Sequence, residues 1–324
     1  MNRRILLLAA TSAVMSTPFV SAWAQSWPAA PIRIIVPFDA GSTPDQVARA
    51  VSDRLASRIG QSVIVENRSG AAGHIGTDAV AKAVPDGHTI GVSIAGPLAV
   101  NPLLFKKMPY DASRDLEPLT IGVSQPSVLA IAQKHQVSTA KELQAFLLAG
   151  KGKINYASIG AGSLSHLAME VLATKSGSDL THVPYRGSGA AVTALLAGDV
   201  DLALLPAAAL MPHIKAGKVR ALAVASAKRA PSLPELPTLA ESGLPDIQAE
   251  AWIGFIAPSK VPASVAKRLH DEIVAVLNEP ATRERLRQQH MDVVANSAAE
   301  FRAVLSAEVS RWKPVIEKNK ITLD

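Results

Sequence analysis

The stretch from residue 153 to residue 172, KINYASIGAGSLSHLAMEVL, constrains the fold of this chain more than any other segment. Its first residues predict a strand, the small residues from Gly160 to Ser163 predict a tight turn, and the apolar residues that follow predict a buried helix. Such a loop leaves backbone N–H groups pointing outward at the N-terminus of its helix, where the helix dipole favours an anion. The segment therefore predicts an anion-binding loop in an α/β fold.

The same construction occurs near the start of the chain. The apolar run 34–38 precedes a small loop and a helix that we expect to begin with Thr43 as N-cap and Pro44 at its first position. Small-residue loops also follow predicted strands at residues 70–76 and 93–97. Four such loops predict two lobes that hold one small anionic ligand, because ligands of open α/β sheets lie at strand ends. The alternative is that all four are ordinary strand-to-helix turns.

Composition narrows the classes of function. The 324 residues are enough for two domains, and alternating helical and extended patterns predict parallel sheets with crossover helices. The chain has no cysteine, which excludes disulfides, thiolate chemistry and cysteine-based zinc sites. Its 8 histidines include no H-x-x-x-H pair, so we expect no metal site. The formal charge is +6, but the basic residues are scattered and no nucleic-acid motif accompanies them, so we expect no nucleic-acid partner.

Residues 1–24 have the layout of a secretory signal peptide. Arg3 and Arg4 form the charged region, residues 5–14 the apolar region, and the pair Ala22 and Ala24 a small-x-small cleavage site. The apolar run is too short to span a bilayer. We therefore expect cleavage after Ala24 and a mature protein that is soluble in the periplasm. The arginine pair leaves both general secretion and twin-arginine export open.

Motifs for catalysis are weak. The chain contains neither a G-x-S-x-G elbow nor a P-loop, and the turn at residues 160–162 lacks the third glycine of a dinucleotide fingerprint. Ser163, Ser165 and His166 are neighbours in one loop, where a nucleophile and its base rarely face each other. His166 can face a cleft or cap its own helix, and both interpretations stay open. We therefore expect a binding protein without a cofactor rather than an enzyme.

The mature chain resembles a known family, the tripartite tricarboxylate transporter solute receptors, or Bug receptors. The resemblance implies an α/β fold of the two-lobed type II periplasmic-binding-protein kind, with a ligand cleft between the lobes and no covalent chemistry. It also implies capture of a small carboxylate for the membrane subunits of a transporter. The segments that carry it, in this order, are IRIIVPFDAGSTPDQVAR, VIVENRSGAAGHIGTDAVAKAVPDGHT, NPLLFKKMPYD, NYASIGAGSLSHLAME, HVPYRGS, PHIKAGKVRALAV and WIGFIAP.

Apolar extended segments near residues 126 and 252 are interpreted as the crossings between the lobes. They divide the chain into lobe 1 at residues 25–125 and 252–324, and lobe 2 at residues 126–251. We expect a monomer.

The motifs of the family imply a set of ligand-binding residues in both lobes. Loop amides, that of Ser163 among them, are expected to hold a carboxylate, with Phe38 and Tyr185 packing against its body. Lobe 1 contributes Phe38, Asp39, Ala40, Ser42, Thr43, Asp45, Ala72, Gly73, His74, Ser93, Ala95 and Gly96. Lobe 2 contributes Ser158, Gly160, Ala161, Ser163, Ser165, His166 and Tyr185.

Departures from the family pattern bear on the ligand. The first loop reads PFDAGSTPD where the family commonly reads PFPPGGSTD, which puts Asp39 near the cleft. Residues 204–207 read LLPA where the family often has an Asp-Asn pair, which predicts an apolar wall; residues 212–217 are expected to form a turn or short helix. Asp39 would repel a second carboxylate and attract an ammonium group. We therefore expect monocarboxylates or amino acids to bind better than tricarboxylates, unless Asp39 turns outward.

Two other functions remain open at this point. One is an extracytoplasmic sensing module that presents its ligand-bound form to a signalling partner. The other is an enzyme built on the same fold.

Overall fold

The computed structural model describes residues 27–150 and 152–323, so the predicted signal peptide lies outside the described residues. Two mixed β-sheets with helices on their faces make up the fold. The strands are β1 (Ile32–Val36), β2 (Val63–Asn67), β3 (Thr89–Ser93), β4 (Leu116–Gln125), β5 (Ser127–Ala132), β6 (Ile154–Ser158), β7 (Leu180–Pro184), β8 (Leu202–Pro206), β9 (Val219–Val224), β10 (Ala251–Pro258) and β11 (Asp292–Val293).

Helices connect most of these strands. A 3₁₀ turn at Ala71–Gly73 and a π-helical turn at Gly96–Val100 precede two of them. The α-helices are α1 (Thr43–Ile59), α2 (His74–Ala81), α3 (Asn101–Leu104), α4 (Ala112–Asp115), α5 (Ala140–Gly150), α6 (Leu164–Ser176), α7 (Ser188–Ala197), α8 (Ala207–Lys215), α9 (Ala263–Asn278), α10 (Pro280–Arg287) and α11 (Ala298–Asn319). Within the described residues, no helix is long and apolar enough to cross a membrane.

The two sheets divide the strands between two lobes. The first sheet has the order β11-β4-β10-β3-β1-β2, and the second has the order β7-β6-β8-β5-β9. Strand β1 pairs in parallel with β2 and β3, and β6 pairs in parallel with β7 and β8, as the sequence predicts. Strands β4, β5 and β10 pair antiparallel with their neighbours. The predicted parallel pairing is therefore present in both sheets, and the crossing segments add antiparallel strands to them.

Strand β1 shows why the first sheet forms. Its residues Ile32, Ile34, Ile35 and Val36 are at most 1% exposed, so helices cover both faces of the sheet here. Helix α1 then begins after Ser42, whose backbone is extended, rather than after Thr43 as predicted.

Helix α8 begins directly after β8, five residues before the predicted turn or short helix. The prediction gave weight to Pro212, which lies inside the helix. Pro212 has no N–H to donate to the carbonyl of Ala208, four residues earlier in the first turn, so one helical hydrogen bond is missing. The alanines before Pro212 favour a helix. The start of α8 at Ala207 matters because it faces the other lobe's loops.

Helix α11 connects the lobes. It packs against the π-helical turn of lobe 1 and against α6 of lobe 2. Trp312 and Ile316, at most 4% exposed, belong to one apolar cluster that also contains Ile35 and Tyr156 from the two sheets. The lobes therefore share part of their core along this helix.

Candidate ligand cleft

A cavity of about 750 Å³ lies between the two lobes. Residues from all four predicted small-residue loops line it, and so do residues of both crossings, among them Gln125 and Trp252. The volume is within the range of pockets that enclose small molecules. The cleft is thus in the place that the sequence predicts.

Four helices, each of nine residues or more, direct their N-termini at this cavity. The lining includes Thr43 at the start of α1, Leu164 at the start of α6, Ser188 at the start of α7 and Ala208 in the first turn of α8. None of the described residues that line the cavity is charged. The first N–H groups of a helix have no acceptor within the helix, and the helix dipole is positive there. The positive potential of the cleft therefore comes from the backbone.

The side chain of Ser42 is a further sign of a ligand site. It is the N-cap residue of α1, yet its hydroxyl does not cap the helix. The Oγ atom is buried and has no hydrogen-bond partner among the described residues, although Ser42 lines the cavity. A buried polar group without a partner costs free energy, and a ligand oxygen would relieve that cost.

The loop of lobe 2 uses its amides internally. The Ser163 amide donates to the Gly160 carbonyl at 3.2 Å, and the Gly162 amide donates to His166 Nδ1 at 3.0 Å. The Ile159 amide donates to Ser165 Oγ at 3.0 Å. The Ser163 amide thus already has an acceptor within its loop, and its role in holding a ligand stays a prediction. In the first turn of α6 the His166 amide is capped by Ser163 Oγ, so the amides of Leu164 and Ser165 are the ones that the turn presents to a ligand.

A stack of three aromatic rings packs behind this loop, outside the lining of the cavity. The rings of His166 and His182 are 3.8 Å apart and nearly parallel, and Tyr156 stacks on His182 at 5.0 Å. His182 Nε2 lies 2.7 Å from Ser158 Oγ, which accepts the Gly160 amide. Burial lowers the pKa of His166 to about 4. Burial, and then the charge that His166 would carry, lower the pKa of His182 to about 4. Both imidazoles are therefore neutral at pH 7, and Nδ1 of His166 is an acceptor.

Asp45 organises the loop of lobe 1 in a similar way. It is 2% exposed and accepts hydrogen bonds from the Gly41 amide, from Arg49 and from Asn67. Burial alone would raise the pKa of Asp45, but these hydrogen bonds outweigh burial and lower it. Among the described residues, the carboxylate of Asp45 accepts hydrogen bonds only from groups around its own loop. It therefore holds the start of α1 in place and does not line the cavity.

His74 also lies behind the cavity wall. It is buried against Phe105, and its Nε2 lies 2.8 Å from Asn101 Nδ2. The same Asn101 amide donates to the Ala72 carbonyl. Asn101 lines the cavity, whereas burial lowers the pKa of His74 and keeps the ring neutral.

The structure brings about half of the predicted ligand-binding residues to the cavity, and which of these contact a ligand stays a prediction. Those that line it are Phe38, Ser42, Thr43, Ala72, Ala95, Gly96, Gly160, Ala161, Ser163 and Ser165. Those outside the lining are Asp39, Ala40, Asp45, Gly73, His74, Ser93, Ser158, His166 and Tyr185. Asp45, His74, Ser158 and His166 support the loops. Asp39 and Ala40 are exposed, and Tyr185 packs against the lobe 2 core.

The predicted apolar wall needs a correction of its own. Leu204 and Pro206 line the cavity, but Leu205 and Ala207 are fully buried in the lobe 2 core. Leu204 and Leu205 separate in this way because successive side chains of a strand point to opposite faces.

Some lining residues were missed by the sequence reasoning. Gln125, Ser127 and Trp252 lie on the crossings, and Ser188 belongs to a small loop that resembles the other four. The loop of Ser188 offered the same signal as the predicted loops. Leu323 offered none, because it reaches the cavity only through tertiary packing.

Two α/β lobes, a cleft between them and an uncharged lining of helix N-termini define a solute-binding protein of the periplasmic-binding-protein fold. The chain belongs to the tripartite tricarboxylate transporter family of receptors, whose family model matches residues 47–321. Members of this family are solute-binding receptors and not enzymes, which confirms the prediction of binding without catalysis.

Individual relatives agree with this assignment. BugT of Bordetella pertussis (strain Tohama I) is 35% identical over 296 residues, which cover 91% of this chain and 91% of BugT. An R. palustris protein solved with adipate has 32% identity and a TM-score of 0.82, over 91% of this chain and 99% of that one. MatC from Rhodopseudomonas palustris with bound malate has 30% identity and a TM-score of 0.77, over 90% of this chain and 100% of MatC.

Proposed function

We propose that this protein is a periplasmic receptor for a monocarboxylate with an apolar body, which it delivers to membrane subunits of a tripartite tricarboxylate transporter. The convergence of four helix N-termini on an uncharged lining carries the proposal. Backbone amides at helix N-termini bind a carboxylate without any arginine or lysine.

The hydrogen bonds of the polar lining side chains support a ligand with a single carboxylate. Several polar residues in the lining already have partners within the protein. Gln46 donates to the Gly41 carbonyl, Ser163 Oγ donates to the Gly160 carbonyl, and Asn101 holds the Ala72 carbonyl. A second carboxylate would compete with the first for the same backbone amides, and the two like charges would repel each other in a closed cleft.

The rest of the lining suits a hydrocarbon body. Phe38, Ile159, Leu204, Trp252 and Leu323 all contribute to it. Burying such a body yields about 25 cal/mol for each Å² of apolar surface removed from water. The carboxylate therefore supplies orientation, and the apolar body supplies most of the affinity.

Amino acids lose their support as ligands. Their inclusion rested on Asp39, whose side chain is exposed and lies outside the lining. No described residue of the lining offers an acidic partner for an ammonium group. The relatives that were solved with adipate and malate set the competing hypothesis, namely that a dicarboxylate is the ligand here too.

The two lobes proposed to close on the ligand are residues 25–125 with 252–324, and residues 126–251. The strand pairings support these boundaries, since the first sheet uses β1 to β4 with β10 and β11, and the second uses β5 to β9. The chain passes between the sheets near Pro126 and near Ala251, where we propose the hinge.

A ligand screen tests the proposal. The mature protein is unfolded thermally in the presence of benzoate, hexanoate, adipate, malate, citrate or glutamate. We expect hexanoate or benzoate to raise the melting temperature most, because ligand binding to the folded state stabilises it. Greater stabilisation by adipate, malate or citrate would refute the monocarboxylate class.

The Ser42→Ala variant tests the site itself. Removing the unpartnered hydroxyl should leave the ligand-free protein at least as stable as wild type, because no internal hydrogen bond is lost and a buried polar group without a partner is removed. Affinity for the acid found in the screen should fall by about 5- to 15-fold, the equivalent of one hydrogen bond of ~1–1.5 kcal/mol. Ser57→Ala, on the exposed face of α1, is the matched control. Equal affinities of wild type and Ser42→Ala would place the carboxylate elsewhere.

A further inference from the structure

The segment after α11 returns to the ligand cleft. The Leu323 amide donates to the Leu104 carbonyl at 3.1 Å, and the Leu323 side chain lines the cavity. Leu104, in lobe 1, is 3% exposed and belongs to the apolar cluster that the two lobes share. Leu323 is thus fixed by a backbone hydrogen bond at the cavity, although it is remote in sequence from the four loops.

Gly162 in the lobe 2 loop meets these two leucines. Its φ of 74° lies in the left-handed region that glycine adopts most readily. A β-carbon at this position would overlap Leu104 Cδ1 and would lie 3.1 Å from Leu323 Cδ1. The loop of lobe 2 therefore touches the two leucines of lobe 1 so closely that a β-carbon at residue 162 would force Leu104 to shift.

Ile321 provides an internal comparison. It lies two residues before Leu323 and is also partly buried against the same core cluster. Its amide donates to the Ile316 carbonyl at the end of α11. Ile321 does not line the cavity, so a role in docking the segment is separable from a role in contacting the ligand.

We propose that Leu323 is a specificity-determining wall of the cleft, which closes with Leu104 onto Gly162 and limits the size of the acid's apolar body. The inference rests on the proposed function, since it concerns the ligand of that same site. A shorter side chain at residue 323 would lengthen the cavity where lobes 1 and 2 meet. Nothing in the sequence motifs of the four loops assigns this role.

Affinities for a short and a long acid test the inference. Dissociation constants for hexanoate and decanoate are measured by calorimetry with wild type, Leu323→Ala and Ile321→Ala. In Leu323→Ala the preference for hexanoate over decanoate should fall by ~10-fold or more, the usual effect of a few methylenes in an apolar pocket. In Ile321→Ala the preference should stay at the wild-type value. An unchanged preference in Leu323→Ala, with wild type binding either acid, would overturn the inference and leave the proposed function standing.

A second measurement does not depend on the choice of acid. Gly162→Ala should prevent the close contact and enlarge the radius of gyration of the ligand-free protein measured by X-ray scattering. Gly41→Ala is the matched control, because Gly41 also lines the cleft with a φ of 82° but has nothing within 4 Å of a β-carbon. Equal radii for the two variants would refute the contact between the leucines and Gly162. Wild type that binds neither acid would count against the proposed function as well as the size limit.

Discussion

Acid should destabilise this protein through the stacked imidazoles under the lobe 2 loop. The pKa values of His166 and His182 are lowered from 6.5 to about 4. The unfolded chain therefore binds more protons than the folded protein between these values. The stability contributed by the neutral pair is complete above pH 6.5 and is lost as the pH falls towards 4.

The structure sets the size of this loss. A depression of about 2.5 pKa units at 1.36 kcal/mol per unit corresponds to about 3 kcal/mol for one imidazole. We count the pair as a single titration, because two charged rings 3.8 Å apart would repel each other. His182 is only half-buried and is partly screened by solvent, so we assign the whole effect to His166, which is 7% exposed. The expected loss between pH 7 and pH 4 is about 2–3 kcal/mol.

Urea unfolding of two variants isolates this contribution from that of the carboxylates. In the double variant His166→Asn, His182→Asn nothing titrates in the stack, while the side-chain carbonyl oxygen introduced at position 166 can still accept the Gly162 amide. The double variant should lose about 2–3 kcal/mol less than wild type between pH 7 and pH 4. His213→Asn, in the last turn of α8, is the control and should follow wild type. Parallel pH profiles for wild type and the double variant would refute the reasoning.

Four further substitutions, at three positions, follow from the site and its surroundings. Asp45→Ala removes the buried acceptor of three donors and should lower the free energy of unfolding by ~1–3 kcal/mol in urea, while an unchanged midpoint would contradict this role. Asp39→Ala should leave the ranking of acids in the thermal screen as it is, because the side chain is exposed; a gain for citrate would return Asp39 to the cleft. Glu308 accepts a hydrogen bond from Trp312 Nε1, and burial raises its pKa, so Glu308→Gln should cost less than ~1 kcal/mol and Glu308→Ala ~1–3 kcal/mol. Equal losses in the two Glu308 variants would show that packing, not the acceptor, matters there.

The sequence predicts the strand–turn–helix units of the cleft well, because each unit is formed by a short continuous segment. A strand, a small-residue turn and a helix start within 15 residues around Gly160, and the same holds around Gly41; no distant contact is needed to recognise either. The family resemblance then supplies the two-lobed arrangement. What a loop motif cannot tell is which of its side chains face the ligand, and Asp45 and His166 both turn back to hold their own loops.

The rest of the cleft depends on contacts between distant segments. The start of α8 at Ala207 is obscured by a proline within the helix, and its approach to the cavity requires the pairing of β8 with β5. Leu323 lies more than 150 residues from Gly162, with which it shares a contact. Neither position carries a motif, so only the folded structure identifies it.

A lining without charged side chains in the described part of the chain has a consequence for how fast a solute is captured. Long-range attraction between opposite charges accelerates association and is screened by salt within about 10 Å at 0.1 M ionic strength. Backbone dipoles act only over the first turn of a helix, so they hold an anion that has already entered but attract few from a distance. Association should then be limited by lobe opening rather than by electrostatic steering. The capture rate should stay nearly constant when the salinity of the surroundings changes.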